Sequence, residues 1–242
     1  MSDTAASDAQ GSPALPSAEP VYVFKDPTTL SNWLIGVMAF GFVVGAISIF
    51  SSWMQLEFLW GVQSGAYDQG ALTALAEQND NRQRVVAGVY AVAIIASIVL
   101  FCFWIPRVSR NVRALGAKGM KISPRWAVGW YLIPIANLFM PYRAMKEIWR
   151  ASKAPMAWET VKRGAILPWW WGLFLVSGML GNMEFRLEMG ATTLPQLTFS
   201  TQVSILSDIV YSIASLAAIA LVREIRNMQA TARGSHEAGP ES

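Results

Sequence analysis

The stretch Trp126-Ala-Val-Gly-Trp-Tyr-Leu-Ile-Pro134-Ile-Ala-Asn137-Leu-Phe-Met-Pro141 decides how this chain is threaded. It carries no charge and is rich in rings, which suits lipid or a protein core. As a straight helix its 16 residues would reach only ~24 Å, against roughly 30 Å for the hydrocarbon of a bilayer. Pro134 also removes a helical hydrogen bond midway and clashes with the preceding turn, so backbone groups are left needing partners. Twelve of the 19 Lys and Arg residues flank this stretch, six on each side: Arg107, Arg110, Arg113, Lys118, Lys121 and Arg125 before it, and Arg143, Lys146, Arg150, Lys153, Lys162 and Arg163 after it. Short-loop cations stay on the cytoplasmic side of a membrane. If the stretch crossed, one cluster would be translocated. If it enters and leaves on one face, both clusters stay inside.

Four longer blocks surround it. Residues 30–53, 85–105, 166–183 and 203–222 are apolar, with Asp208 the only acid inside any of them. Each is long enough to be a spanning candidate. Composition agrees: 53% of residues are hydrophobic and only 14% charged, with a mean hydropathy of +0.34. Soluble domains carry about a quarter charged residues. The 11 Trp, 11 Phe and 6 Tyr supply rings suited to a membrane–water boundary. The expected architecture is an all-α polytopic membrane bundle of four spans plus a re-entrant or broken segment over 126–141. Five full spans are the alternative, since a short block can cross a thinned bilayer.

Residues 1–26 read as a disordered N-terminal tail, 27–226 as the membrane helical domain and 227–242 as a polar C-terminal tail. The start lacks the basic region of a cleavable signal peptide, so the first apolar block is expected to persist. Asp26-Pro27 and Ser123-Pro124 are helix-start signals, and Gly116 and Gly119 are helix stops. The second block is expected to end at Pro106. Residues 184–202 read as an acidic loop, and residues 71–84 as a helical lead into the second block. The cations place both termini in the cytoplasm.

No catalytic or metal-binding constellation is visible. One cysteine, Cys102, and one histidine, His236, allow no internal disulfide and no Cys/His cluster. No phosphate loop, dinucleotide fingerprint or zinc-protease motif is present, so no cofactor is expected. The candidate sites are polar. Residues 142–152 place Met145, Ile148, Trp149 and Ser152 on one helical face and Arg143, Lys146, Glu147 and Arg150 on the other. A basic, Trp-bearing amphipathic helix suits an anionic headgroup layer. Tyr142 opens this segment and joins the candidate lipid or ligand contacts. Arg107, Arg110 and Asn111 share a face past the second block and are expected to point at the broken segment, binding an anion or its exposed carbonyls. Asn137 is expected to return hydrogen bonds to the interrupted backbone. Asp208 is a functional candidate by position, although no cation partner sits within the blocks. Gly41 and Gly45 form a GxxxG pair, and Ser177 and Gly181 a small-residue pair, which support close packing within a chain or in a homo-oligomer.

The run Trp104-Ile-Pro-Arg107, Asn111-Val-Arg-Ala-Leu-Gly116, Ser123-Pro-Arg-Trp-Ala-Val-Gly-Trp-Tyr131, Pro134-Ile-Ala-Asn137 and Pro141 to Ser152 closely resembles the bacterial membrane family called domain of unknown function 4328. The resemblance implies a bacterial cytoplasmic-membrane protein and supplies no catalytic residues. Three classes of function follow. A non-enzymatic module would bind lipid or an unknown protein partner through the basic re-entrant region, with no role for nucleic acid. A small-solute channel or transporter would use the broken helix around Pro134–Asn137. A membrane-embedded enzyme is the least supported, for want of a nucleophile–base or metal set.

Overall fold

The computed structural model describes residues 21–237, so positions 1–20 of the tail expected over 1–26 and positions 238–242 of the tail expected over 227–242 lie outside the described residues. Helix α1 (Thr28–Gln63) starts after Asp26-Pro27, where the Asp26 carboxylate accepts the Thr28 N–H at 2.8 Å. A five-residue turn, with Gly65 at φ +70, leads into α2 (Gln69–Ala114). The helical lead over 71–84 is therefore the first part of α2 itself.

The expected stop at Pro106 does not occur. Pro106 lies inside α2, which runs on to Ala114. The lost hydrogen bond is outweighed by burial of the flanking Trp104, Ile105, Val108 and Val112. The stop comes at Gly116, whose φ of +98 lets the Ala117 N–H return to the Val112 carbonyl at 3.0 Å.

The broken stretch contains no continuous helix. It begins with α3 (Trp126–Gly129), passes through 3-10 turns at Trp130–Leu132 and Ala136–Leu138, and ends in α4 (Met140–Lys153). Both α3 and the second of these turns pack on α4, and the two turns pack on each other, so the stretch doubles back. A further 3-10 turn at Pro155–Thr160 leads to α5 (Ile166–Gly190) and α6 (Leu194–Glu237). The acidic loop expected over 184–202 shrinks to three residues, because α5 and α6 both extend into it. The polar tail expected from 227 is helical through 237, held by Gln229, which is fully buried.

Among the described residues, α1, α2 and α6 are long and apolar enough to cross a membrane. Helix α5 is not one of these three, since its tryptophans, glycines and Asn182 dilute its apolar run. The helices pack as a row, α2 on α1, α1 on α6 and α6 on α5. The main core lies at one end of that row. There Leu34, Trp104, Val108, Met145, Ile148, Leu167, Leu221, Val222 and Ile225 meet, all at most 1% exposed. They come from the ends of α1, α2, α5 and α6 together with α4. The apolar face of α4 is thus spent inside the protein and does not face a headgroup layer.

Candidate functional site

The cationic end is built around Asn111 and Gln229, both fully buried. The Asn111 amide donates to the Lys25 carbonyl at 2.8 Å and to Gln229 Oε1 at 3.1 Å, and its oxygen accepts the Lys25 N–H at 3.0 Å. Gln229 Nε2 donates to the Val108 carbonyl and to Ser152 Oγ, each at 3.0 Å. One polar node thereby ties α2, α4, α6 and the segment 21–26 that precedes α1. That segment is not a free tail. Arg113 lies over the Tyr22 ring at 5.7 Å and Arg233 over Phe24 at 5.0 Å. Nearby, Trp104 Nε1 donates to Ser31 Oγ at 2.9 Å with both residues fully buried.

The residues expected to serve the broken segment are distributed differently. Arg110 is exposed and Arg107 half-buried, while Asn111 turns inward to Gln229. Arg113 instead ties the end of α2 to the loop that precedes the broken segment. Its guanidinium donates to the Ile122 carbonyl at 2.6 Å and to the Ser109 carbonyl and hydroxyl, each at 2.7 Å. Glu147 accepts the Lys121 and Ile122 N–H groups at 3.1 and 3.3 Å. Burial pushes its carboxyl above the ordinary glutamate value, against those two bonds and the nearby Arg113 and Lys121. Trp171 Nε1 donates to the Leu138 carbonyl at 3.2 Å. Asn137 does not repair the break with its side chain: its Oδ1 is buried without a partner, and its backbone N–H bonds the Ile133 carbonyl at 2.7 Å. Tyr142 accepts from Arg163 at 3.4 Å, Arg143 is exposed and Lys146 half-buried.

The outer surface of this end combines two features. Among the described residues the only ion pair is Arg233–Glu237, so none of the twelve flanking cations is matched to a carboxylate. Beside them the broken stretch presents bare apolar side chains, with Leu132 85% and Ile135 76% exposed and Phe139 also exposed.

The far end of the bundle holds a cavity of about 960 Å³, bounded by all four long helices. Its wall includes Ser48, Ser52, Ser200, Ser204, Ser207, Tyr90 and Tyr211, with Asp80, Glu184, Glu188 and Asp208 as acids and Arg84 as cation. Asp208 is 5% exposed and has no ion-pair partner among the described residues. The Ser48 hydroxyl faces the Asp208 carboxylate, and so does that of Tyr90, which is 9% exposed. Gly45 makes room for Tyr90, since a Cβ there would lie 3.2 Å from its hydroxyl and 3.0 Å from Ser212 Oγ. Gly41 meets Ala93 of α2 in the same seam. Of the two uses expected for the Gly41–Gly45 pair, these contacts are close packing within the chain. Below the cavity, Arg82 and Gln83 of α2 donate to Ser51 of α1, and Gln55 donates to Thr201 of α6.

The described residues are all-helical, with three helices long and apolar enough to cross a membrane, a buried polar node at one end and a cavity at the other. The family model for domain of unknown function 4328 matches residues 68–227, and the chain belongs to that family. No curated protein and no solved structure matches it.

Proposed function

We propose that this chain is a non-enzymatic, multi-pass cell-membrane protein whose cytoplasmic face engages anionic phospholipid around the broken segment. In this reading α1, α2, α5 and α6 cross, residues 126–141 re-enter on the cytoplasmic side, and both termini are cytoplasmic. The observation that carries it is the unmatched cationic surface beside the exposed Leu132, Ile135 and Phe139. Apolar side chains seated among acyl chains, with guanidinium and ammonium groups at headgroup level, suit an anionic leaflet at about 1 kcal/mol per cation near the surface. The amphipathic helix contributes only its charged face, because its apolar face is buried in the core. Placing a solute pathway at Pro134–Asn137 has less support, since no residue of 126–141 lines the cavity at the far end.

Thermal unfolding in nanodiscs tests this. Wild type should unfold several degrees higher in bilayers containing phosphatidylglycerol than in phosphatidylcholine alone. Replacing Arg125, Arg143 and Lys146 with Gln should remove most of that gap. Equal stability of wild type in the two lipids would end the proposal.

A further inference from the structure

We propose that the cavity at the far end of the bundle binds a small organic cation, an ammonium compound seated between the Asp208 carboxylate and the Tyr90–Tyr211 ring pair. The inference is independent of the lipid reading, since it concerns the opposite end of the molecule. A carboxylate as buried as Asp208 is costly without a counter-charge, and no side chain supplies one. The wall holds four carboxylates against the single guanidinium of Arg84, so the cavity favours a cation.

The chemistry of the wall narrows the kind of cation. Among the described residues no three His, Cys, Asp or Glu side chains converge as a metal-holding group, so a metal ion would lack a protein coordination shell. The rings suit a larger and softer charge. Tyr90 and Tyr211 both line the cavity and meet edge to face with centroids 5.6 Å apart, and aromatic rings attract ammonium groups. The serine hydroxyls of the wall supply hydrogen-bonding groups for a polar substituent. At about 960 Å³ the space is at the upper end for a small-molecule site, where volumes run from about 300 to 1,000 Å³.

Equilibrium binding of radiolabelled choline and putrescine to the full chain in nanodiscs tests the assignment. Saturable binding of at least one is expected, weakened at least tenfold by Asp208→Asn and several-fold by Tyr211→Leu. The uncharged choline isostere 3,3-dimethylbutan-1-ol should not compete. Thermal unfolding of Asp208→Asn, expected at or above the wild-type temperature, separates a lost ligand contact from a lost fold. No saturable binding of either probe would overturn the proposal. So would binding that Asp208→Asn leaves unchanged, or equal competition by the isostere. Binding of sodium with no ammonium binding at low sodium would reassign the site to a bare ion.

Discussion

The two ends of the bundle use their buried polar groups differently. At the cationic end Asn111, Gln229, Ser152 and Ser109 are fully buried and joined to neighbours by hydrogen bonds, although the Tyr131 hydroxyl, Asn137 Oδ1, Trp149 Nε1 and Arg150 Nε at that end have no partner. At the far end Asp208 has no cation, the Tyr90 hydroxyl faces its carboxylate and the Ser212 hydroxyl has no partner, although these too are buried. A satisfied network fixes one packing of the elements it joins, whereas unsatisfied polar groups beside a cavity destabilise the empty protein unless something fills them. The first pattern belongs to a clamp and the second to a receptacle. The cationic end joins α2, α4 and α6 through its node, while the far end lines a cavity bounded by all four long helices.

Substitutions can break this contrast, beginning with the largest effect. Trp104→Ala empties the centre of the clamped core and strands the Ser31 hydroxyl, and should cost about 3–5 kcal/mol. Trp169, 71% exposed on α5, should change stability by less than about 0.5 kcal/mol when truncated to alanine. Thermal unfolding of the two variants side by side checks this. Similar losses would mean that the core is not where the buried side chains place it.

A sharper comparison pairs one polar residue from each end. Asn111→Leu removes three hydrogen bonds and leaves Gln229 Oε1 without its donor, a loss of about 2–3 kcal/mol. Asp208→Asn removes an unpaired buried charge and should leave stability unchanged or raised. Opposite signs in denaturant or heat unfolding support the contrast, and equal losses would erase it.

The smallest effect concerns Glu147. Its carboxyl titrates above the ordinary glutamate value in the folded protein, so the folded state holds the proton over a window where the unfolded state has released it. Stability should therefore fall as pH rises through the range just above the ordinary glutamate value. Glu147→Gln should flatten that part of the stability–pH profile. An unchanged slope in the variant would show that another group is responsible.

The sequence reveals the features that depend on local pattern. Apolar blocks, the proline-broken aromatic stretch, the glycine stop at 116 and the two faces of residues 142–152 can all be read from spacing and composition. Pairings made by the fold cannot be read this way. Asn111 and Gln229 are 118 residues apart, and Gln229 sits in a run that composition alone marks as a solvated tail. Pro106 looks like a terminus because the burial of Trp104 and Val108, which carries the helix past it, is a tertiary effect. Arg113 was hidden among its neighbours in a basic run, since nothing in such a run shows which guanidinium turns inward. Asp208 could be noticed as an acid within an apolar block and Gly45 as a close-packing glycine, but Tyr90 gives no signal until three helices bring it beside them.

The central claim is that the clamped, cationic end forms one cytoplasmic face and the cavity opens on the other. Site-directed labelling tests it directly. With Cys102 replaced by serine, single cysteines at Lys121, Lys153 and Gln69 are exposed to a membrane-impermeant maleimide in intact cells and after permeabilisation. Positions 121 and 153 should react only after permeabilisation, and position 69 should react in intact cells. Labelling of 121 and 153 from opposite sides would mean that residues 126–141 cross the membrane, and would contradict the account.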